Sequence, residues 1–189
     1  AQPLTQLLDN RGTPPKNVQY GRAASKMAIA DAFTVFANPD PDTKKIVTLI
    51  APPVYFSKNS YSTPLTLPIA LTYLAATLEK AGYAAKIVDC RGADADNIRL
   101  TPDGRFKVQG LDTQKSIEMI DPESDIIGVS IMFSQEWPQI RDYVNQVAAA
   151  FPEAIIIVGG EHPTAMPEYT LRDCPAIYYV ARGEGELTR

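Results

Sequence analysis

The chain has 189 residues, 45% of them hydrophobic and 21% charged, and a formal net charge of -4. That excludes a disordered chain and allows one well-buried domain with an appendage. It also excludes a general electrostatic attraction to nucleic acid or an anionic membrane; with no apolar run near the roughly 20 residues of a bilayer span and no leader pattern at the start, a soluble, cytoplasmic protein is expected.

Residues 1–44 read as an N-terminal extension and linker ahead of a domain at 45–189. The turn-rich Asn38-Pro39-Asp40-Pro41-Asp42 closes this segment, and Ala23 to Phe36 before it predicts a helix with Ala24, Met27 and Ala28 on one face. Ile46 to Ala51 then predicts a buried strand, halted by Pro52-Pro53 because proline cannot extend a central ladder. A polar, aromatic loop from Tyr55 to Pro64 follows, longer than most strand-to-helix loops. A helix starting near Pro68 places Leu71, Leu74, Ala75 and Leu78 at helical spacing and stops at Gly82. Ala84 to Asp89 is the second predicted strand.

From Cys90 to Gly110 the pattern lapses into a surface insertion, where Pro102-Asp103-Gly104 predicts a hairpin turn within Ile98 to Val108. A helix from Asp112 to Ile120 leads into Ile126-Ile127-Gly128-Val129 and, later, Ile155-Ile156-Ile157-Val158. Neither run alternates with polar residues, so each predicts a strand buried on both faces. Between them a helix from Gln135 or Pro138 to Ala150 turns Ile140, Tyr143, Val144, Val147 and Ala148 inward. Beyond Gly160 come a loop at Glu161 to Thr164, a short helix including Ala165 to Leu171, and a last strand from Ala176 to Ala181.

Strands alternating with helices predict an α/β fold: a doubly wound five-stranded parallel sheet, Rossmann-like or flavodoxin-like, of strand order 2-1-3-4-5 with its last helix truncated. In such a sheet the carboxyl ends of neighbouring strands open onto a ligand crevice. Ser130-Ile131-Met132 and Gly159-Gly160 are therefore expected side by side at one mouth.

Catalytic patterns are sparse. His162 is the single histidine, and neither a Ser/His/Asp nor an HExxH spacing surrounds it. Phosphate-binding GxxxxGK[ST] and dinucleotide-binding GxGxxG motifs are absent. The two cysteines, Cys90 and Cys174, form no metal-binding cluster and read as free thiols. No catalytic residue and no metal ligand is assigned. What remains is a binding mouth of small residues and of backbone amides at helix starts.

The segments PLTLPIALTYLAATLEKAGY (64–83), DIIGVSIMF (125–133), VGGEHPTAMPE (158–168) and ARGEGELT (181–188) together resemble the N-terminal cobalamin-binding domain of cobalamin-dependent radical S-adenosylmethionine enzymes. The resemblance runs from about residue 45 to the end. It implies a corrin over the carboxyl edge of the sheet with its nucleotide tail descending into the domain. Ser130, Ile131, Met132 and Phe133 then lie beside the tail base, and Gly159-Gly160 along the tail, where a side chain on either glycine would occupy tail volume. Pro52, Pro53, Val54 and Tyr55, the loop Glu161, His162, Pro163 and Thr164, and the turn Gly183, Glu184, Gly185 and Glu186 are implied to ring the cofactor. The loop after the first strand, APPVYFSKNSYSTP, lacks the DxHxxG histidine of the methionine synthase kind, which implies a cobalt without a histidine lower ligand. His162 is given a loop-ordering or tail-contacting role.

The resemblance further implies a methyltransferase or cyclase whose [4Fe-4S] cluster and S-adenosylmethionine belong to a downstream domain. This chain by itself would then bind cofactor only. Taken singly, the same residues have plainer readings. A glycine pair after a strand makes a tight turn, Ser130 caps a helix, and Glu184 and Glu186 form a solvated helix start. The alternatives are a flavodoxin-like module binding a nucleotide or flavin at the same mouth, and an interaction domain with an empty one.

Overall fold

In the computed structural model, residues 45–60 and 66–183 are described. The extension at 1–44 with its predicted helix, and Glu184, Gly185 and Glu186 with the expected start of a last helix, lie outside them. In chain order the elements are β1 (Ile46–Ala51), β2 (Val54–Ser57), α1 (Ile69–Lys80), β3 (Ala84–Asp89), β4 (Ile98–Leu100), β5 (Phe106–Gln109), α2 (Thr113–Met119), β6 (Ile126–Ser130), α3 (Trp137–Ala150), β7 (Ile155–Gly159), α4 (Glu161–Ala165), α5 (Pro167–Asp173) and β8 (Tyr179–Val180).

The strands pair in parallel in the order β3-β1-β6-β7-β8, the 2-1-3-4-5 arrangement expected of a doubly wound sheet, with the apolar runs of β6 and β7 at its centre. Because successive side chains of a strand point to opposite faces, each run feeds both faces of the sheet. On one face Ile50, Val88, Ile127, Val129, Ile156 and Val158 pack with Ile140, Tyr143, Val144 and Val147 of α3. On the other, Val47, Leu49, Ile126, Ile155 and Tyr179 pack with Leu71 and Ala75 of α1. Gly82, at φ +96, reverses the chain after α1 and lets the Tyr83 N–H reach the Leu78 carbonyl at 3.0 Å. Asp112 starts α2 by accepting the Lys115 N–H at 2.8 Å.

Four local expectations are corrected. The stretch from Tyr55 is not wholly loop: Val54-Tyr55-Phe56-Ser57 forms β2, which pairs antiparallel with β5. Together with the predicted hairpin β4-β5 it makes a second, three-stranded sheet, order β2-β5-β4. The aromatic, β-branched composition of Val54 to Phe56 favours a strand, but its partner lies some fifty residues away, where periodicity carries no information. The insertion is accordingly not purely superficial, since Val108, Gln109 and Leu111 are buried and the Gln109 amide donates to Ala95 O at 2.7 Å. Glu161 to Thr164 is a helical turn, α4, rather than a loop, and α5 begins afresh at Pro167 after Met166, whose backbone (φ -132, ψ 52) leaves the helical region that a following proline disfavours. The last strand contracts to Tyr179–Val180.

Candidate functional site

The mouth is built where β6 and β7 end. Ser130 stands opposite Gly159 in the parallel register, and the Ile131 N–H donates to Gly159 O at 2.7 Å. The chain then turns at Gly160, and the His162 N–H returns to Ile131 O at 3.2 Å. Ser130-Ile131 and Gly159-Gly160 are thus brought together as expected. Alternation along each strand sets their faces: Ser130 and Gly128 follow Ile126, and Gly159 follows Ile155 and Ile157, onto the face that α1 covers.

Small residues line that face. Gly128, Ser130 and Gly159 are each only half-buried. A Cβ added to Gly159 would make ordinary contact with Ala181 Cβ at 3.6 Å, and one added to Gly128 would meet only the movable end of Leu49 at 2.8 Å. The Ser130 hydroxyl makes no hydrogen bond among the described residues. It is free to receive or donate one from a ligand lying over this face.

Gly160 plays a different part. Its φ of +107 and ψ of -172 belong to a region that essentially only glycine occupies, and an added Cβ would stand 2.5 Å from Ile131 O. The two glycines therefore do different work: Gly160 makes the turn, and Gly159 leaves the space.

Around the edge, Pro53 is buried while Pro52, Val54 and Tyr55 are half-buried, and Ile131 is buried while Met132 and Phe133 are exposed. Glu161 is exposed and Pro163 buried. Thr164 joins the ends of β7 and β8, its hydroxyl accepting the Gly183 N–H at 3.0 Å.

His162 turns away from the mouth. Its ring is 2% exposed and stacks on Trp137 at 4.7 Å between centroids. The Thr170 hydroxyl donates to Met166 O at 2.8 Å, so it accepts from Nε2–H at 3.3 Å, and Nδ1 accepts from the Ser134 hydroxyl at 3.0 Å. Both ring nitrogens of the neutral imidazole are satisfied, and burial holds its pKa below the usual 6.5. His162→Ala is expected to lower stability by roughly 2–4 kcal/mol, through the loss of a buried ring that fills the space against Trp137. Thermal unfolding checks this, and an unchanged midpoint would deny the residue a structural role.

Sequence reasoning missed Glu136 and Trp137. Trp137 is 2% exposed, and its indole N–H donates to Asp173 at 2.9 Å beside Arg141, tying α3 to α5. Glu136 is 7% exposed and sits between the loops that leave β1 and β6. Neither position carries a sequence signal of burial, because Glu136 reads as an ordinary acidic residue at a helix start. The Cys90 and Cys174 thiols are buried, and desolvation pushes each up to about 11, so neither is a reactive thiolate near neutrality. Among the described residues no group of three His, Cys, Asp or Glu residues stands ready to hold a metal ion. No helix among them is long and apolar enough to cross a membrane.

Residues 62–189 match the family model described as a B12 binding domain. The chain is 34% identical, over 127 residues, to the cytidylyl-2-hydroxyethylphosphonate methyltransferase of Streptomyces wedmorensis, a match covering 65% of this chain and 23% of that protein. It is 32% identical, over 143 residues, to a protein of Pyrococcus horikoshii named as an uncharacterized methyltransferase, covering 75% of this chain and 27% of the relative. The chain thus matches about a quarter of the length of each of these relatives.

Proposed function

Because this chain belongs to the B12 binding domain family, we propose that it holds cobalamin at the carboxyl edge of its parallel sheet, as the cofactor-carrying part of a larger methyl-transferring enzyme. The observation that carries the placement is the row of Gly128, Ser130 and Gly159, half-buried small residues in register on one face at the end of the sheet. They fit a flat, amide-rich tail that needs close backbone approach and a hydrogen-bonding hydroxyl at its base. When bound, cobalamin supplies a cobalt that carries a methyl group between donor and acceptor.

The chain's own residues bind and orient. Ser130 holds the tail base, and Gly159 leaves the tail its channel. The half-buried Val54 and Tyr55 and the exposed Met132 and Phe133 shield the corrin edge from water. His162, buried and bonded at both ring nitrogens, would not be available to a bound cobalt, and the loop Pro52 to Ser60 contains no histidine that would be. Within the longer protein the methyl transfer belongs to a radical S-adenosylmethionine domain with its own iron–sulfur cluster. The support is the resemblance of the four sequence segments, together with the two methyltransferase names among longer relatives.

Titrating hydroxocobalamin into the purified chain tests the binding directly. The corrin absorption bands are expected to shift, and cofactor is expected to survive desalting. An unshifted spectrum with no cofactor retained would rule the reading out for this chain. Iron content and S-adenosylmethionine cleavage, measured on the longer protein, test the radical part separately.

A further inference from the structure

The Ala181 N–H donates to Val158 O at 2.8 Å and carries the β8 ladder one residue past the strand. In a parallel ladder the next donor and the next acceptor each lie two residues further on, which would pair the Gly183 N–H with Gly160 O. Gly160 has by then turned out of the strand at φ +107, and its carbonyl accepts the Thr164 N–H at 3.1 Å instead. The Thr164 hydroxyl supplies the replacement, accepting the Gly183 N–H at 3.0 Å. One residue thus occupies the carbonyl that the turn withdraws and offers its own side chain in its place.

What this bond holds is a wall of the mouth. Tyr179 pairs with Ile157 and Val180 with Val158, which brings Ala181 level with Gly159, itself level with Ser130. A Cβ on Gly159 would lie 3.6 Å from Ala181 Cβ, so both project from the same face. Ser130, Gly159 and Ala181 therefore make a row of half-buried small residues across the ends of three strands. β8 has two residues and, among the described residues, pairs with β7 alone, so the sheet itself does little to fix the chain beyond it. We propose, resting on the cobalamin reading, that Thr164 is a positioning residue for the cofactor: its hydroxyl holds Ala181 to Gly183 as the outer wall of the row that takes the tail. Without that hydroxyl the wall spends part of its time elsewhere, and apparent affinity falls by the fraction of chains in which it is in place.

Thr164→Val keeps the shape of the side chain and loses the acceptor, whereas Thr164→Ser keeps the acceptor and loses the methyl. Amide exchange in the free, purified chain reads the bond itself. The Gly183 N–H of Thr164→Val is expected to exchange about 5- to 10-fold faster than in wild type, with the Ile131 N–H, bonded to Gly159 O at 2.7 Å, unchanged. Hydroxocobalamin titration reads the consequence. Thr164→Val is expected to bind about 5- to 10-fold more weakly, and Thr164→Ser to match wild type in both measurements. Thr164→Ala, with no acceptor and a smaller side chain, is expected to follow Thr164→Val and takes its place should the valine variant not fold. Faster Gly183 exchange with unchanged affinity would overturn the inference while leaving cobalamin binding in place. So would a loss of Ile131 protection alongside Gly183, the mark of a general loss of stability, or a Thr164→Ser variant as weak as Thr164→Val. No binding of hydroxocobalamin by wild type would overturn both readings.

Discussion

Gly159→Leu is expected to leave the fold intact and to lower cobalamin affinity by at least about 100-fold. Gly159 lies in regular strand, opposite Ser130, and a Cβ there meets only Ala181, at 3.6 Å. The protein therefore accommodates the branch point of a larger side chain without shifting backbone. The rest of a leucine would extend over the half-buried face beside Ser130, which the proposed tail needs. A hundredfold loss corresponds to about 2.7 kcal/mol, within the range for overfilling a closely packed site. Hydroxocobalamin titration supplies the affinity, and circular dichroism and thermal unfolding supply the fold. Unchanged affinity in a folded variant would show that the tail does not pass Gly159.

Gly160→Ala is expected to fail in the opposite way, by destabilising the chain before any ligand is considered. The added methyl would stand 2.5 Å from the Ile131 carbonyl oxygen, on a backbone at φ +107 that L-residues rarely adopt. Ile131 O also accepts the His162 N–H, so it cannot retreat without loosening the turn into α4. Strain and displacement together are worth about 2–4 kcal/mol, or roughly 5–15 °C in unfolding midpoint for a chain of this size. A midpoint within about 2 °C of wild type would show that the β6 and β7 ends shift freely past each other. Adjacent glycines with opposite failure modes separate tail volume from turn geometry, which one variant alone cannot do.

Much of the frame was legible in the residues because it depends on local pattern. Apolar runs without alternation announce strands buried on both faces, and β6 and β7 lie where those runs lie, with β1 and β3 at the other two strands expected before them. Strand order followed from the crossover rules, and the meeting of Ser130 with Gly159 followed from strand order. The second sheet was half legible. Pro102-Asp103-Gly104 marked its hairpin, while β2 depended on a partner far along the chain. His162 illustrates the limit for side chains: its position after the glycine pair put it in the mouth, yet its ring fills a pocket between Trp137 and Thr170, residues from two other helices.

By itself, then, the amino-acid sequence determined the α/β class, the sheet edge at which β6 and β7 end together, and the small residues that line it. These follow from periodicity, from proline and glycine chemistry, and from the handedness of the chain, all properties of neighbouring residues. Only the tertiary structure decided which of the two glycines is space and which is turn, that His162 faces inward, and that Glu136 is buried. Those outcomes depend on which distant groups come within a few ångströms and exclude water. Desolvation and close contact are properties of the packed assembly, and no local stretch of residues contains them.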